Sequence, residues 1–341
     1  MRTNNWPRQQ ATLGCKDLQS IPGTGGAIKA LPGIPRMEVP VHVSKLERKS
    51  ALMGYAMLSP ALLVIAAVTI FPIGYSVWMS LNTINSTFTG FQFKFSGWTN
   101  YNIVFQSSLF WQALWFTTIY AFVTVIVELA LGMLMALALN QPIRGRGLAI
   151  AVMLVPWTLI TVISAQMWAY IYNGLYGVLN YVLMSLHIIS TPFLWLGSPV
   201  SATISMMVAD VWKTTPFVTM ILLAGLQLIP SELYEAAKID GSSAWHSFWR
   251  VTFPLLRPSI GLAALFRILQ AFGLFDLPFV LTGGGPGTST TSIAMLAYKA
   301  IFSDGEFGPG TAVAVVTVGL VIALALVSLK ALRTQVGEIE T

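Results

Sequence analysis

The chain has 341 residues, 55% of them hydrophobic and 9% charged, with a formal net charge of +6 at pH 7. Soluble domains carry about 25% charged residues, so this composition excludes an ordinary soluble domain and reads as a polytopic, all-α membrane protein. Cys15 is the only cysteine and His42, His187 and His246 are scattered, which excludes an intramolecular disulfide and leaves no metal cluster in view.

Residues 1–50 contain no apolar run long enough for a signal peptide. "IPGTGGAIKALPGIPR" (21–36) is rich in Gly and Pro and reads as a flexible cytoplasmic tail. Neither its "GTGG" nor "TGGGPGTST" (282–290) ends in the GK[ST] of a phosphate-binding loop. If ATP is involved, another polypeptide must bind it.

A bilayer core of about 30 Å needs roughly 20 apolar residues in a helix. Six segments qualify: 52–81, 112–139, 148–172, 202–228, 259–281 and 310–332. They define a six-helix permease domain over 51–335 and leave 336–341 as a cytoplasmic tail. Pro156 and Pro216 are candidate helix breakers within these spans. The distribution of cations sets the direction. Lys45, Arg48, Lys49, Arg144, Arg146, Lys238, Arg250, Arg257, Lys330 and Arg333 share one side, against Lys94 and Lys299 on the other. Both termini are therefore expected inside, and this one-sided charge makes nucleic acid a poor partner. Trp78, Trp98, Trp111, Trp115 and Tyr172 fall at the expected outer boundary as an interfacial belt. Between the first two spans, 82–110 alternates polar and apolar residues and suggests a short strand pair before an interfacial helix. Residues 173–198 read as a short amphipathic helix lying on the bilayer.

Ionisable residues inside spans are costly and mark a pathway or an internal pair. They are Glu128, Asp210, Lys213, Arg267 and Asp276. Asp210 and Lys213 are three apart on one helical face and are expected to neutralise each other. Glu128 and Arg267, both near mid-depth, are expected to pair and to lock helices without touching substrate.

The segment 229–258 holds "SELYEAAKIDGSSAWHSFWRVTFPLLRP" between two spans. Ser231 suits a helix cap and Glu232 its positive end. Gly241 suits a left-handed stop, Ser242 or Ser243 a second cap, and Pro254 and Pro258 a turn back into the fifth span. The resulting helix–turn–helix is either a hairpin resting on headgroups or a docking element. Its small residues and its acids Glu232, Glu235 and Asp240, which anionic headgroups would repel, favour docking.

"EAAKIDGSSAWHSFWRVTFP" resembles the EAA loop of permeases from bacterial ABC importers, EAA-x3-G-x9-I-x-LP. Glu235, Ala236, Ala237, Gly241 and Pro254 match, while Val251 and Phe253 replace the usual Ile and Leu. "DVWKTTPFVTMILLAGLQLIP", "FDLPFVLTGGGPGTST" and "SGWTNYNIVF" are similar to the carbohydrate-uptake branch, above all to the first membrane subunit of maltose- and glycerol-phosphate-type importers. The resemblance implies an importer permease fold in a bacterial or archaeal cell membrane. It implies a related second permease as heterodimer partner, two ATPase subunits that hold the ATP and Mg, and an extracytoplasmic sugar-binding protein. This chain would be no enzyme and bind no cofactor. The loop, with Asp240 beside the matched residues, would couple to an ATPase. Asp210, Lys213, Thr214, Phe217, Gln270, Ala271 and Leu274 would lie on the sugar pathway; Ala271 and Leu274 replace polar residues of the maltose relative, which argues for a different sugar. The rivals are a permease for another solute, a secondary transporter driven through the buried acids, and a membrane enzyme, for which no nucleophile or metal set is visible.

Overall fold

The computed structural model describes residues 45–87 and 90–337. Most of the expected flexible tail, and residues 338–341 of the C-terminal one, lie outside the described residues. The chain divides into two units, 1–61 and 62–341.

Helix α1 (Lys45–Ser80) leads into an antiparallel hairpin of β1 (Asn82–Thr87) and β2 (Gly90–Phe95), then α2 (Thr99–Gln106) and α3 (Ser108–Leu139). Next come α4 (Arg146–Thr158), α5 (Thr161–Ile171), α6 (Val178–Ser185) and α7 (Pro199–Gln227). A hairpin of α8 (Ser231–Ile239) and α9 (Ala244–Ser247) passes through a π-helical turn, Phe248–Thr252, into α10 (Phe253–Phe272). The chain closes with α11 (Asp276–Leu281), α12 (Ile293–Tyr298), a second π-helical turn at Lys299–Ser303, and α13 (Phe307–Gly337). Among the described residues five helices are long and apolar enough to cross a bilayer, and the pair α4 and α5, bent by 91°, makes a sixth span if taken as one.

Two spans differ from the continuous helices expected. The third is broken: Pro156 lacks the N–H that would bond one turn back, and Leu159 and Ile160 take extended backbone, ψ 137° and 135°, before α5 starts. Pro216, by contrast, is buried inside α7, which continues through it because tertiary packing holds both flanks. The fifth span ends at Phe272 and resumes as α11. Its start is also earlier, since Ala244–Phe272 runs on as one apolar helix. Pro254 and Pro258 therefore do not turn the chain. Pro254 falls in the first turn of α10, directly after the wider π ladder that accommodates its missing N–H.

Helices in lipid gain little by exchanging lipid for one another, so small residues set how closely they approach. A Cβ on Gly132 of α3 would stand 2.8 Å from Val218 Cγ1 of α7. One on Gly225 of α7 would stand 2.2 Å from Ser259 Oγ of α10. Ala136, Val218, Leu222, Leu256 and Ala263 fill this three-helix seam.

At the other end, Asn100 Nδ2 donates to the carbonyls of Ser80 (2.8 Å) and Asn82 (2.9 Å), and Tyr101 shares a 2.7 Å hydrogen bond with Ser80. Gly308 lies so close that a Cβ there would meet Asn100 Nδ2 at 2.8 Å. The "NY" pair thus ties α1, α2 and α13 together. Trp78, Trp98, Trp111 and Trp115 are exposed as an interfacial belt requires. Tyr172 is not part of that belt: it is buried, and its hydroxyl donates to Ser205 O at 3.0 Å. The stretch 173–198 is also less simple than one surface helix. Only α6 is helical, and buried Asn180 accepts from Phe193 N and Trp195 Nε1 (2.9 Å), folding the segment on itself.

Candidate functional site

Three features stand out within 62–341. The first is an ion cluster at the meeting of α3, α7 and α10. Arg267 Nε donates to Glu128 Oε2, and Arg267 Nη2 donates to Glu128 Oε1 at 2.7 Å. The same Nη2 lies 3.2 Å from Asp210 Oδ2, and Nη1 donates to Gln270 Oε1 at 2.9 Å. Thr214 Oγ1 donates to Glu128 Oε1 at 2.6 Å, and the Tyr120 hydroxyl lies 3.3 Å from Asp210 Oδ2. The guanidinium fork suits this arrangement, because it presents donors to two carboxylates at once where a Lys would present a single point. Asp210 therefore forms its salt bridge with Arg267 and not with Lys213, which points to a half-buried position outside the cluster's hydrogen bonds.

The second feature is the break in the third span. Trp157, two residues before the break, stacks on Phe217 of α7 at 5.6 Å and 14°, and Phe217 meets Phe266 of α10 edge-on at 6.1 Å. Trp157 and Phe266 are exposed and Phe217 half-buried. Of the positions expected on the pathway, Phe217, Gln270, Lys213 and Leu274 are at least partly open. Asp210 and Thr214 are buried in the ion cluster, while Ala271 is buried with Ala121 and Phe272. Asp276 is exposed in the first turn of α11, after the break in the fifth span. Trp157 and Phe266 were missed by motif reasoning. Their signal was proximity to Pro156 and a place directly before Arg267, neither of which shows that three helices meet there.

The third feature is the α8–α9 hairpin. Ser231 does not cap α8; Pro230 holds the cap position without a side-chain hydrogen bond, and Ser231 is the first helical residue. The stop is as Gly241 suggests: φ is +75°, Gly241 N bonds Lys238 O at 3.1 Å, and Ser242 N bonds Ala237 O at 2.9 Å. These two bonds form a Schellman motif, whose left-handed residue is easiest for Gly. Ser243 then caps α9, accepting from His246 N at 3.3 Å. Glu235, Ala236, Asp240 and Gly241 are exposed, and Ala237 and Pro254 are partly so. Leu233, Ala236, Ala237, Asp240, Gly241 and Arg250 line an open groove of 590 Å³. Tyr234 and Thr252 hydroxyls, 3.1 Å apart, fasten α8 to the root of α10.

A polytopic bundle with a rigid, small-residue hairpin projecting beyond its spans defines a transport permease rather than an enzyme. Residues 128–336 match the family of binding-protein-dependent transport system inner membrane components, and the chain belongs to that family. It is a membrane permease subunit of an ABC-type importer, a non-catalytic component that works with an ATPase and an extracytoplasmic binding protein. It is 43% identical over 287 residues to the trehalose/maltose transport system permease protein MalF of Thermococcus litoralis, covering 84% of this chain and 96% of that protein. It is 36% identical to the trehalose transport system permease protein SugA of Mycobacterium tuberculosis, covering 83% and 89%. A bacterial ABC transporter involved in the import of the acidic polysaccharide alginate shares the fold, with a TM-score of 0.72 at 20% identity, covering 85% of this chain and 98% of that one.

Proposed function

We propose that this chain forms one half of a sugar translocation pathway, with a second, related permease forming the other half. The observation that carries the reading is the break at Leu159–Ile160, flanked by the Trp157–Phe217–Phe266 aromatics. Backbone without helical partners is tolerated at membrane depth only against protein or a water-filled cavity, so this face needs a partner subunit or a pathway beside it. Aromatic faces cover the CH groups of a sugar ring, and Gln270, held by Arg267, supplies a hydrogen-bonding neighbour. The trehalose and maltose cargoes of the relatives MalF and SugA support the same class.

In this reading residues 51–335 are the permease domain and the 229–258 segment is the coupling element, with both termini inside, as the distribution of Lys and Arg supports. Two ATPase subunits hold ATP and Mg. Their closure carries Glu235–Gly241 with them, and the Tyr234–Thr252 contact passes the displacement into α10. The ion cluster makes α3, α7 and α10 move as one body, and the pathway changes the side it faces.

Cysteine placed at Ala237, with Cys15 replaced by Ser, is expected to crosslink to an ATPase subunit in the assembled transporter; adducts with phospholipid alone would remove the coupling role. For the cargo, Phe217→Ala or Trp157→Ala is expected to lower sugar uptake into proteoliposomes about tenfold, the effect of losing an aromatic contact worth about 1.4 kcal/mol. ATP hydrolysis stimulated by the binding protein should persist in both. Wild-type uptake by both variants would move the sugar site elsewhere.

A further inference from the structure

Hairpin β1–β2 has two unlike faces. Its register pairs Asn82 with Phe95, Ile84 with Phe93 and Ser86 with Phe91, and in between pairs Thr83 with Lys94 and Asn85 with Gln92. Directly paired residues share a face, and successive residues alternate. One face is therefore aromatic, with Phe91, Phe93 and Phe95, and the other is polar, with Thr83, Asn85, Gln92 and Lys94. An aromatic face in a soluble hairpin would be covered by a core. On that face the protein buries Asn82 and Ile84 of β1, yet Phe91, Phe93 and Phe95 of β2 remain 53%, 43% and 74% exposed.

The surroundings of these rings indicate the medium they face. On α1, Phe71 stacks on Tyr75 at 6.2 Å and Tyr75 on Trp78 at 5.6 Å, one ladder up the side of the helix. From Leu62 to Phe71 nearly every large side chain of that helix is more than half exposed, and the helix is long and apolar enough to cross a bilayer. The ladder does not stop at the helix end: Trp78 passes directly to Phe93 at 5.0 Å, and Phe91 meets Phe307, the first residue of α13, edge-on at 5.0 Å. The aromatic face thus overhangs the ends of two apolar helices, continuous with an exposed aromatic stripe on the first of them. Its attitude is fixed at the root, where Ser96 N and Gly97 N both bond Leu81 O (2.9 and 3.1 Å) and Asn82 Nδ2 bonds Trp78 O.

We infer that the β1–β2 hairpin lies flat on the membrane, its Phe91, Phe93 and Phe95 face seated in the lipid–water interface and its Gln92 and Lys94 face in water. Aromatic rings favour that layer, and a hairpin buried on one face there needs no core of its own. It would brace α1 against tilting, because the helix end and the hairpin rest on the same surface.

The alternation along β2 supplies the test. Single cysteines at Gln92, Phe93, Lys94 and Phe95 in a Cys15→Ser background would carry a nitroxide in the assembled transporter, reconstituted in phospholipid nanodiscs, with ATPase activity confirming assembly. Collisional relaxation by oxygen, which partitions into lipid, is compared with that by a water-soluble nickel chelate. Oxygen should dominate at 93 and 95 and nickel at 92 and 94, the sign switching at every residue. Nickel dominating at all four positions would overturn the inference, placing the face in water. So would protection of 93 and 95 from both reagents, which would mean that a protein subunit covers them.

Discussion

Arg267→Met is expected to destabilise the folded permease by about 3–5 kcal/mol, because it leaves two buried carboxylates, Glu128 and Asp210, without their shared cation. Glu128→Gln should be milder, since Arg267 keeps Asp210 at 3.2 Å and Gln270 at 2.9 Å. The double variant Glu128→Gln/Arg267→Met should recover only part of the loss, and adding Asp210→Asn should recover more. Thermal unfolding of the detergent-solubilised protein, read as loss of the monodisperse peak in size exclusion, orders the variants. Full recovery in the double variant would mean that Asp210 contributes nothing and that the cluster is a simple pair. The order matters for transport as well as stability. The cluster is the polar join among α3, α7 and α10 at mid-depth, where an unpaired charge has no water to turn to.

Gly225→Val should cost about 1–3 kcal/mol and depress transport further than that loss of stability alone would, because overpacking here pries apart α7 and α10 where the α8–α9 hairpin joins them. Its first added carbon would stand 2.2 Å from Ser259 Oγ and 2.7 Å from Ser259 Cβ. The third near atom, Leu256 Cδ1 at 2.8 Å, is the far end of a side chain that can shift, so the two Ser259 atoms are the part of the clash a second substitution can remove. Gly225→Ala combined with Ser259→Gly should regain most of the stability and transport lost by Gly225→Ala alone, measured by unfolding midpoint and by uptake coupled to ATP hydrolysis. If the second change brings no recovery, the close approach of the two helices is not the cause. Gly241 offers a contrast: nothing lies within 4 Å of a Cβ built there, so a substitution would act through the left-handed backbone alone.

The particular elements divide cleanly into what the sequence determined and what needed three dimensions. Membrane spans were legible because a bilayer demands about 20 apolar residues in a row wherever a helix crosses, whatever its neighbours do. The hairpin at 229–258 was legible for a similar reason. A left-handed stop selects Gly241 and a cap selects Ser243, and both requirements are met by hydrogen bonds within a few residues. Ser231, Pro254 and Pro258 show where local rules end. Each residue type permits a cap or a turn, but Pro230 took the cap position before Ser231, and the helix continues through Pro254 and Pro258. Pro156 and Pro216 carry the same local signal, and only the packing around α7 keeps one helix whole while the third span breaks.

For the site, the pairing of opposite charges in lipid could be anticipated, since isolated ones are too costly to keep. Glu128 and Arg267, expected to meet from their shared depth, do meet, but the partner of Asp210 could not be anticipated. Asp210 is three residues from Lys213 in sequence and fifty-seven from Arg267, yet the salt bridge goes to Arg267. The packing of α3, α7 and α10 on one another, close at Gly132 and Gly225, brings Asp210 to Arg267, and α7 also gathers Trp157 and Phe266 around Phe217. The sequence by itself therefore determined the medium, the apolar segments long enough to cross it and the turn at Gly241, because each answers to a constraint felt within a few turns of chain. The tertiary structure alone decided the partner of Asp210 and the aromatic surface, because those depend on how neighbouring helices are packed, and no single span carries that information.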